Sequence, residues 1–291
     1  MIEQLLGEIS KATFVEQYYL KLPFSLPDYA QGFTHLGSWE MVETILAQPD
    51  PDVLVVRQGE LWKEKARPSY SEARALHAAG YTLVIRNSEK HHPQLAELAA
   101  GFREDFQGAV DIHLYCTPAN QRGFGWHYDA DDGFILQTQG SKEYSLRKNT
   151  VNPWPLIETI PRDMAYEREI MPLMKCRLVA GDWLYIPGGY WHMAKAEDES
   201  ISVSVGVRST TAMDAYDFLR QRLVHSLMWR QRLPPPGKVS TLSTQELVDR
   251  YQSLFAELGD DLAKMLHDDE LVRAFLDSLK PSTICANRGR P

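Results

Sequence analysis

The density of short β-type segments between residues 110 and 208 constrains the fold of this chain more than any other feature. Six such segments alternate with turns rich in Gly, Pro, Asn and Asp: DIHLYC, GFILQTQ, KEYSLR, CRLVA, DWLYIP and ISVSVGVR. Strands this short and this closely spaced predict a β-sandwich or β-barrel. The proline-rich segment 150–175 is predicted to be a long loop over that barrel.

The regions on either side of the barrel follow other patterns. Before residue 110 we expect an α/β lead-in, with helices at 13–20, 38–47, 71–77 and 93–107 and strands at 53–56 and 81–86. From residue 210 the chain is predicted to be helical, with further helices at about 243–258 and 260–279 after a Pro/Gly break. The sequence therefore predicts a mainly β fold with α, divided into residues 1–209 and a helical region at 210–291.

Composition narrows the classes of function. There are 31 Lys and Arg against 39 Asp and Glu, a net charge of −8, which argues against direct nucleic-acid binding. The three cysteines, Cys116, Cys176 and Cys285, are far apart and form no CxxC pair, which fits a reducing compartment. The chain shows no apolar run of membrane-spanning length and no basic leader. We therefore expect a cytoplasmic protein that does not bind a membrane.

Two motifs deliver a set of metal ligands. We expect GWHYDADDG to form an extended strand, in which residues i and i+2 face the same way, so His127 and Asp129 can point into one cavity. The third ligand is His192 of GDWLYIPGGYWH, which the turn at Pro187–Gly189 directs back to the barrel interior. Two histidines and one carboxylate leave three coordination positions open, an arrangement typical of non-haem Fe(II) enzymes.

These residues carry a resemblance to a known family. The stretches LYCTPANQRGFGWHYDADDGFILQTQGSKEY, GDWLYIPGGYWH and SVSVGVRS resemble the JmjC group of 2-oxoglutarate oxygenases, and within it the cupin-type ribosomal oxygenases, which are protein hydroxylases. The resemblance covers about residues 10 to 209. It implies a double-stranded β-helix, that is, a jelly-roll JmjC barrel of the cupin type. It also implies that the helical region after 209 is a dimerisation segment.

The resemblance implies roles for individual residues. His127, Asp129 and His192 match the Fe(II) ligands, and Lys142 matches the lysine that pairs with the distal carboxylate of 2-oxoglutarate. Dioxygen is the other cosubstrate. On the last barrel strand Ser204 lies on the polar face, which we expect to point inward near the metal, so Ser204 is predicted to help bind the cosubstrate.

Four assignments stay open at this point. Tyr115 is either a pocket residue that donates a hydrogen bond or part of the barrel core. Arg208 reaches either the pocket rim or a surface carboxylate. Residues 131–132 are most simply a solvated turn, with an acidic rim as the alternative. The apolar stripe of α-helical spacing at residues 216–227 is either internal packing or a homodimer seam.

The predicted function is hydroxylation of a C–H bond by an Fe(II)- and 2-oxoglutarate-dependent oxygenase. The resemblance favours a protein or peptide side chain as substrate, including a ribosomal-protein-like one. Three alternatives are a hydroxylase of a free amino acid or other small molecule, a metal-binding cupin with different chemistry, and a non-catalytic barrel used for assembly. Metal content and affinity for 2-oxoglutarate would separate the last two from the favoured function.

Overall fold

The computed structural model describes residues 1–161, 173–237 and 241–280. The chain divides into two compact units, residues 1–209 and 210–291. Within the predicted loop at 150–175, residues 162–172 lie outside the described residues, as does Cys285. Cys116 and Cys176 are free thiols.

The lead-in of the first unit contains five helices and four strands. Its helices are α1 (Ile2–Leu6), α2 (Lys11–Gln17), α3 (Trp39–Leu46), α4 (Tyr70–Ala78) and α5 (Pro93–Phe106), and its strands are β1 (Phe24–Leu26), β2 (Asp52–Arg57), β3 (Glu60–Ala66) and β4 (Thr82–Arg86). Three short 3-10 helices lie at Gln31–Leu36, Ser88–Lys90 and Ile157–Thr159. The side chain of Ser38 caps α3 as predicted. Helix α4 begins one residue earlier than expected, because Ser69 and Glu72 form a capping box.

The barrel region follows, with β5 (Ala109–Thr117), β6 (Asp132–Gln139), β7 (Ser141–Arg147), β8 (Met174–Val179), β9 (Trp183–Ile186), β10 (Trp191–Ala196) and β11 (Ser200–Arg208). The strands form an eight-stranded sheet in the order β1-β9-β6-β11-β5-β4-β2-β3 and a three-stranded sheet in the order β10-β7-β8. All the named strand pairs are antiparallel. The six strands predicted between 110 and 208 are therefore confirmed.

Alternation along β11 separates two environments. Ile201, Val203, Val205 and Val207 lie in the large hydrophobic core that also contains buried residues of α1, α3 and α5. Ser202 and Ser204 point to the other side and line a cavity together with residues of β7 and β10. The period of two thus gives this strand one apolar face against helices and one polar face toward the second sheet, as predicted.

The second unit is helical. Its helices are α6 (Ala212–Leu223), α7 (Thr244–Leu266) and α8 (Asp269–Leu279). The predicted break near residue 259 is wrong, because Gly259 lies inside α7 and the chain turns only at His267 and Asp268, where the Asp268 side chain caps α8. Contacts within the unit include the Phe218–Phe275 ring pair at 5.3 Å and a 2.8 Å bond from the Trp229 indole to Asp261.

Among the described helices of both units, none combines the length and the apolar character that a membrane crossing requires.

Candidate functional site

The three predicted metal ligands lie together. One donor atom from each of His127, Asp129 and His192 falls within 4.8 Å of the other two. Oδ2 of Asp129 is 3.9 Å from Nε2 of His127 and 3.5 Å from Nε2 of His192. The side chain of Asp129 is 60% exposed, while that of His192 is 15% exposed. The set is therefore open to solvent on the side of its carboxylate.

Backbone hydrogen bonds hold the ligand segments against each other. The amide of His127 donates to the carbonyl of His192 at 3.1 Å, and the amide of His192 donates back at 2.8 Å. The amide of Gly189 donates to the carbonyl of Asp129 at 2.8 Å. The expectation that His127 and Asp129 sit on a strand is wrong, because only the single bridge from His127 to His192 has β pairing there. The bridge, rather than strand register, brings the ligands together.

Each histidine presents the same nitrogen to the cavity. Nδ1 of His127 is 2.9 Å from the carbonyl of Gly125, and Nδ1 of His192 is 2.9 Å from the carbonyl of Tyr190. Since a carbonyl only accepts, each Nδ1 carries the proton and each Nε2 keeps its lone pair for a metal. Burial lowers the pKa of His192 to about 4, with the neighbouring His127 acting in the same direction and Asp129 opposing it. Both effects favour the neutral imidazole that a metal needs.

This donor set fits a divalent first-row metal ion. Two imidazole nitrogens and a carboxylate oxygen each bind such ions at about 2.0–2.2 Å, so donors 3.5–3.9 Å apart can share one ion. The residues present therefore match the Fe(II) that the sequence resemblance implies.

Lys142 lies deep in the same cavity. It is 3% exposed, and its Nζ donates to Oγ of Ser202 at 2.9 Å. No carboxylate in the described part of the chain forms an ion pair with it. Burial lowers the pKa of Lys142 to about 7. A buried amine with one neutral partner can bind an anionic group that enters the cavity.

Tyr115 and Ser204 also line the cavity. The Tyr115 ring lies 5.7 Å from Nζ of Lys142, and burial raises the pKa of its phenol above the usual value. The structure thus places Tyr115 in the pocket, next to the core residues Leu54 and Val84. Ser204 pairs in register with His113 on β5.

Sequence reasoning missed the outer part of the cavity, which has a volume of about 370 Å³ and contains Asp111, His113 and Arg86. Arg86 is paired with Asp52 at 2.9 Å. The carboxylate of Asp111 has no hydrogen-bond donor among the described residues, and Nε2 of His113 lies 3.9 Å from it. Burial raises the pKa of Asp111. Asp111 lies two residues before His113 and four before Tyr115, so the three side chains share one face of the strand. This spacing could have predicted that Asp111 lies in the same cavity as Tyr115.

The two acids after the ligand motif differ from the expected solvated turn. Asp131 accepts two hydrogen bonds from Arg208, at 2.8 and 3.1 Å, at the edge of the outer cavity. Arg208 therefore reaches a carboxylate at the pocket rim. Asp132 is 1% exposed and fully hydrogen-bonded, so the prediction of a solvated turn is wrong for it.

The described part of the predicted loop does approach the site. Ile157 and Ile160 line the outer cavity. Nδ2 of Asn152 is 3.5 Å from the hydroxyl of Tyr128, the residue between two ligands. Residues 152–160 therefore form one wall of the entrance.

Comparison with known proteins agrees with this geometry. Residues 87–215 match the JmjC domain family. A protein of Drosophila mojavensis named bifunctional lysine-specific demethylase and histidyl-hydroxylase NO66 is 28% identical over 242 residues, covering 79% of this chain and 27% of the relative. The protein of the same name from Dictyostelium discoideum is 29% identical over 226 residues, covering 69% of this chain and 43% of the relative. The chain thus spans less than half the length of either relative.

Solved structures show the same fold. The structure of YcfD, a ribosomal oxygenase from Escherichia coli, in complex with cobalt and 2-oxoglutarate matches with a TM-score of 0.62 and 20% identity, over 94% of this chain and 71% of YcfD. Its complex with cobalt and succinic acid matches with a TM-score of 0.61 over 98% of this chain and 74% of YcfD. The predicted β-helical barrel with its α/β lead-in is therefore confirmed. Residues 87–215 of this chain are therefore similar to the JmjC domain family, and its fold is similar to that of YcfD.

Proposed function

We propose that this chain is an Fe(II)- and 2-oxoglutarate-dependent oxygenase that hydroxylates a C–H bond in a protein or peptide side chain. One observation carries the proposal: an open set of two histidines and a carboxylate shares a cavity with a buried lysine that has no acidic partner among the described residues. A dicarboxylate cosubstrate needs both features, one to chelate and one to neutralise its far end.

Each residue has a definable task in this reaction. Fe(II) with both cosubstrates would supply the oxidation, in which 2-oxoglutarate and dioxygen give succinate, carbon dioxide and one oxygen atom inserted into the substrate. His127, Asp129 and His192 hold the metal. Lys142, kept near Tyr115 and Ser202, holds the distal carboxylate. The apolar wall that includes Ile135 and Ile186 excludes water from the cosubstrate.

The outer cavity supports a substrate side chain that carries a positive charge. Asp111 brings to that cavity a carboxylate that has no arginine or lysine partner among the described residues, and Arg86 and Arg208 are each paired with another acid. The NO66 relatives are named for action on lysine and histidine residues, both of which can be cationic. A free amino acid would use only part of the cavity, so we favour a peptide segment.

The first experiment is anaerobic visible absorption of the protein with Fe(II), before and after 2-oxoglutarate. We expect a charge-transfer band that needs both additions and is absent from Asp129→Ala. The variant Asp50→Ala, which removes an exposed carboxylate outside the cavity, should keep the band. Bound iron without a band would contradict the 2-oxoglutarate assignment and favour a metal-binding cupin with different chemistry.

Peptide oxidation tests the substrate class. Basic peptides should be hydroxylated with a mass increase of one oxygen, and Asp111→Asn should raise the KM for them by about tenfold while leaving 2-oxoglutarate binding unchanged, because a charge-assisted hydrogen bond contributes about 1.5 kcal/mol or more. Equal turnover of matched neutral peptides would exclude selection by charge.

We also propose a cytoplasmic homodimer formed through the helical unit. Several apolar side chains of that unit are exposed, among them Tyr216, Leu227, Phe255, Val272 and Leu276. A second copy would cover such a surface. Light scattering should give twice the chain mass of 33.2 kDa, and Leu227→Lys should lower it toward that of one chain. A mass of 33.2 kDa for the unmodified chain would exclude the dimer.

A further inference from the structure

The buried carboxylate of Asp132 lies where the two ligand-bearing segments meet. Asp132 is the first residue of β6, three residues after the ligand Asp129, and its side chain is 1% exposed. Oδ1 accepts from the hydroxyl of Tyr185 at 2.6 Å and from the amide of Gly188 at 3.2 Å. Oδ2 accepts from the hydroxyl of Ser209 at 2.6 Å. Three donors around one carboxylate compensate for its burial.

We propose that Asp132 is a positioning residue for the metal centre, which it serves by fixing the turn that leads to His192. Gly188 and Gly189 are consecutive in that turn. The amide of Gly188 donates to the side chain of Asp132, and the amide of Gly189 donates to the backbone of Asp129. With the His127–His192 bridge, these bonds join the two segments at three successive points.

Close packing at the turn makes this arrangement sensitive to small movements. A Cβ on Gly188 would lie 2.7 Å from the carbonyl oxygen of Ala130, so the turn and the ligand segment are in backbone contact. The other two links are backbone bonds. Among the three links, only that of Asp132 uses a side chain, so it can be removed by substitution without altering a ligand or the backbone of the turn.

The same carboxylate ties in part of the chain that lies outside the JmjC match. The hydroxyl of Tyr185 accepts from the amide of Leu20 at 2.8 Å while it donates to Asp132. The hydroxyl of Tyr190, two residues before His192, donates to the carbonyl of Lys21 at 3.0 Å. Residues 20–21 therefore support the ligand turn through the hydroxyls of Tyr185 and Tyr190. The lead-in is connected to the metal ligands through Asp132 and these two tyrosines.

Metal binding without cosubstrate tests this role. The probe is Co(II) alone, with affinity measured by competition with a chelator and ligand geometry followed in its visible d–d bands. We expect Asp132→Ala to weaken Co(II) binding by about tenfold to a hundredfold, the range typical of residues that orient metal ligands. Asp132→Asn keeps an oxygen that accepts from Tyr185 and Gly188, so we expect it to restore affinity to within about threefold of the unmodified chain.

A matched control separates positioning from stability. Asp105 is also a hydrogen-bonded carboxylate, 12% exposed, but it binds the N-terminus and Lys11 instead of the ligand turn. Asp105→Ala should lower the melting temperature of the metal-free protein and leave Co(II) affinity unchanged. Should Asp132→Ala fail to fold, Tyr185→Phe loosens the same carboxylate and should weaken Co(II) binding severalfold.

The outcomes distinguish this inference from the proposed function on which it rests. If Asp132→Ala bound Co(II) as tightly as the unmodified chain, the positioning role alone would be overturned. The same holds for Tyr185→Phe if the alanine variant does not fold. An equal loss of affinity in Asp105→Ala would also overturn it, since the effect would then follow stability. If the unmodified chain bound no Co(II), the metal-dependent function and the positioning role would both be wrong.

Discussion

The two ends of the cavity are built differently. At the metal end, His127 and Asp129 lie outside the regular strands and are held by backbone bonds to the segment around His192. At the other end, Lys142 and Ser202 lie inside β7 and β11. The side chain of Asp129 is 60% exposed, whereas Lys142 is 3% exposed. Under the proposed function, the metal end would admit a substrate and the lysine end would keep water away from the ion pair between Lys142 and the cosubstrate.

The difference has an energetic side. A carboxylate exposed to water costs little when no metal is bound. A buried ammonium without an acidic partner is expensive, which is why burial lowers the pKa of Lys142 to about 7. The charged form of Lys142 therefore destabilises the folded chain until an anion binds, whereas the exposed carboxylate of Asp129 has no comparable cost.

The largest effect is expected at Asp129. Asp129→Ala leaves two histidines, which cannot retain Fe(II) in competition with water, so metal and turnover should be lost together. Metal content after gel filtration and succinate formation are the two measurements. Turnover by a metal-loaded Asp129→Ala variant would show that this carboxylate is no ligand. Because Asp129 is exposed, its removal should change the melting temperature of the metal-free protein by less than a few degrees.

Lys142→Met should separate the two ends. Loss of a buried charge partner costs about 3 kcal/mol, so we expect the Kd of 2-oxoglutarate to rise by a hundredfold or more. Co(II) affinity should stay the same. The metal-free variant should also be more stable, by about 1 kcal/mol or more, because an apolar side chain replaces an unpaired buried ammonium. Calorimetry measures the Kd, and thermal unfolding measures the stability. A less stable Lys142→Met variant would contradict the claim that the buried ammonium destabilises the metal-free chain.

The pH dependence of cosubstrate binding follows from the same group. Below pH of about 7 Lys142 is charged and can bind the distal carboxylate, and above it the amine becomes neutral. The Kd of 2-oxoglutarate should therefore rise as pH increases from 7 to 9, by up to about tenfold per unit. Lys142→Arg, which stays charged, should remove this slope. A slope that persists in the arginine variant would assign it to another group.

The lowered pKa of Lys142 also makes the stability of the metal-free chain depend on pH. The sign of this dependence is opposite to that expected for a lysine in a stabilising ion pair. The folded-state pKa of Lys142 lies below the unfolded value of 10.5, so the unfolded chain binds more protons between about pH 7 and 10.5. The contribution of this group to the free energy of unfolding should increase as pH rises through that window. Lys142→Met should lack this increase in thermal melts of the metal-free protein.

Sequence patterns located much of the cavity because strand periodicity decides which side chains share a face. The alternation in SVSVGVR placed Ser202 and Ser204 opposite the valines, as the structure has them. The burial of Asp132 could not be predicted in this way, because in the sequence Asp132 is one of three acids in a polar turn. Its burial depends on Tyr185 and Ser209, more than 50 residues away in sequence. Such pairings are set by tertiary contacts and leave no local pattern.

The two edge strands of the large sheet, β1 and β3, could not be predicted from local sequence patterns either. Strand β1 has only three residues and pairs with β9, so its apolar segment FSL after Pro23 gave too short a signal. Strand β3 lies at the sheet edge, and its apolar residues Leu61 and Trp62 are adjacent, exposed and flanked by charged residues, so it shows no alternating apolar pattern. Helix α7 runs from Thr244 to Leu266 and includes Gly259, and a capping box at Ser243 stabilises its start. The one glycine does not end a helix of this length. In each case a distant partner or a long element outweighed the local preference.

The smallest effect is expected from Ser202→Ala, which changes the lysine end without removing its charge. Oγ of Ser202 accepts the 2.9 Å bond from Nζ of Lys142 and also contacts the phenol of Tyr144. Loss of one such bond costs about 0.5–1.5 kcal/mol, so the Kd of 2-oxoglutarate should rise by about twofold to tenfold, with Co(II) affinity unchanged. Ser200→Ala on the same strand, where the Ser200 hydroxyl accepts a 2.9 Å bond from Gln137 and does not line the cavity, serves as the matched control and should leave Kd closer to that of the unmodified chain. If both variants weakened Co(II) binding as well, the two ends would be coupled through β11, and the separation drawn between them would be wrong.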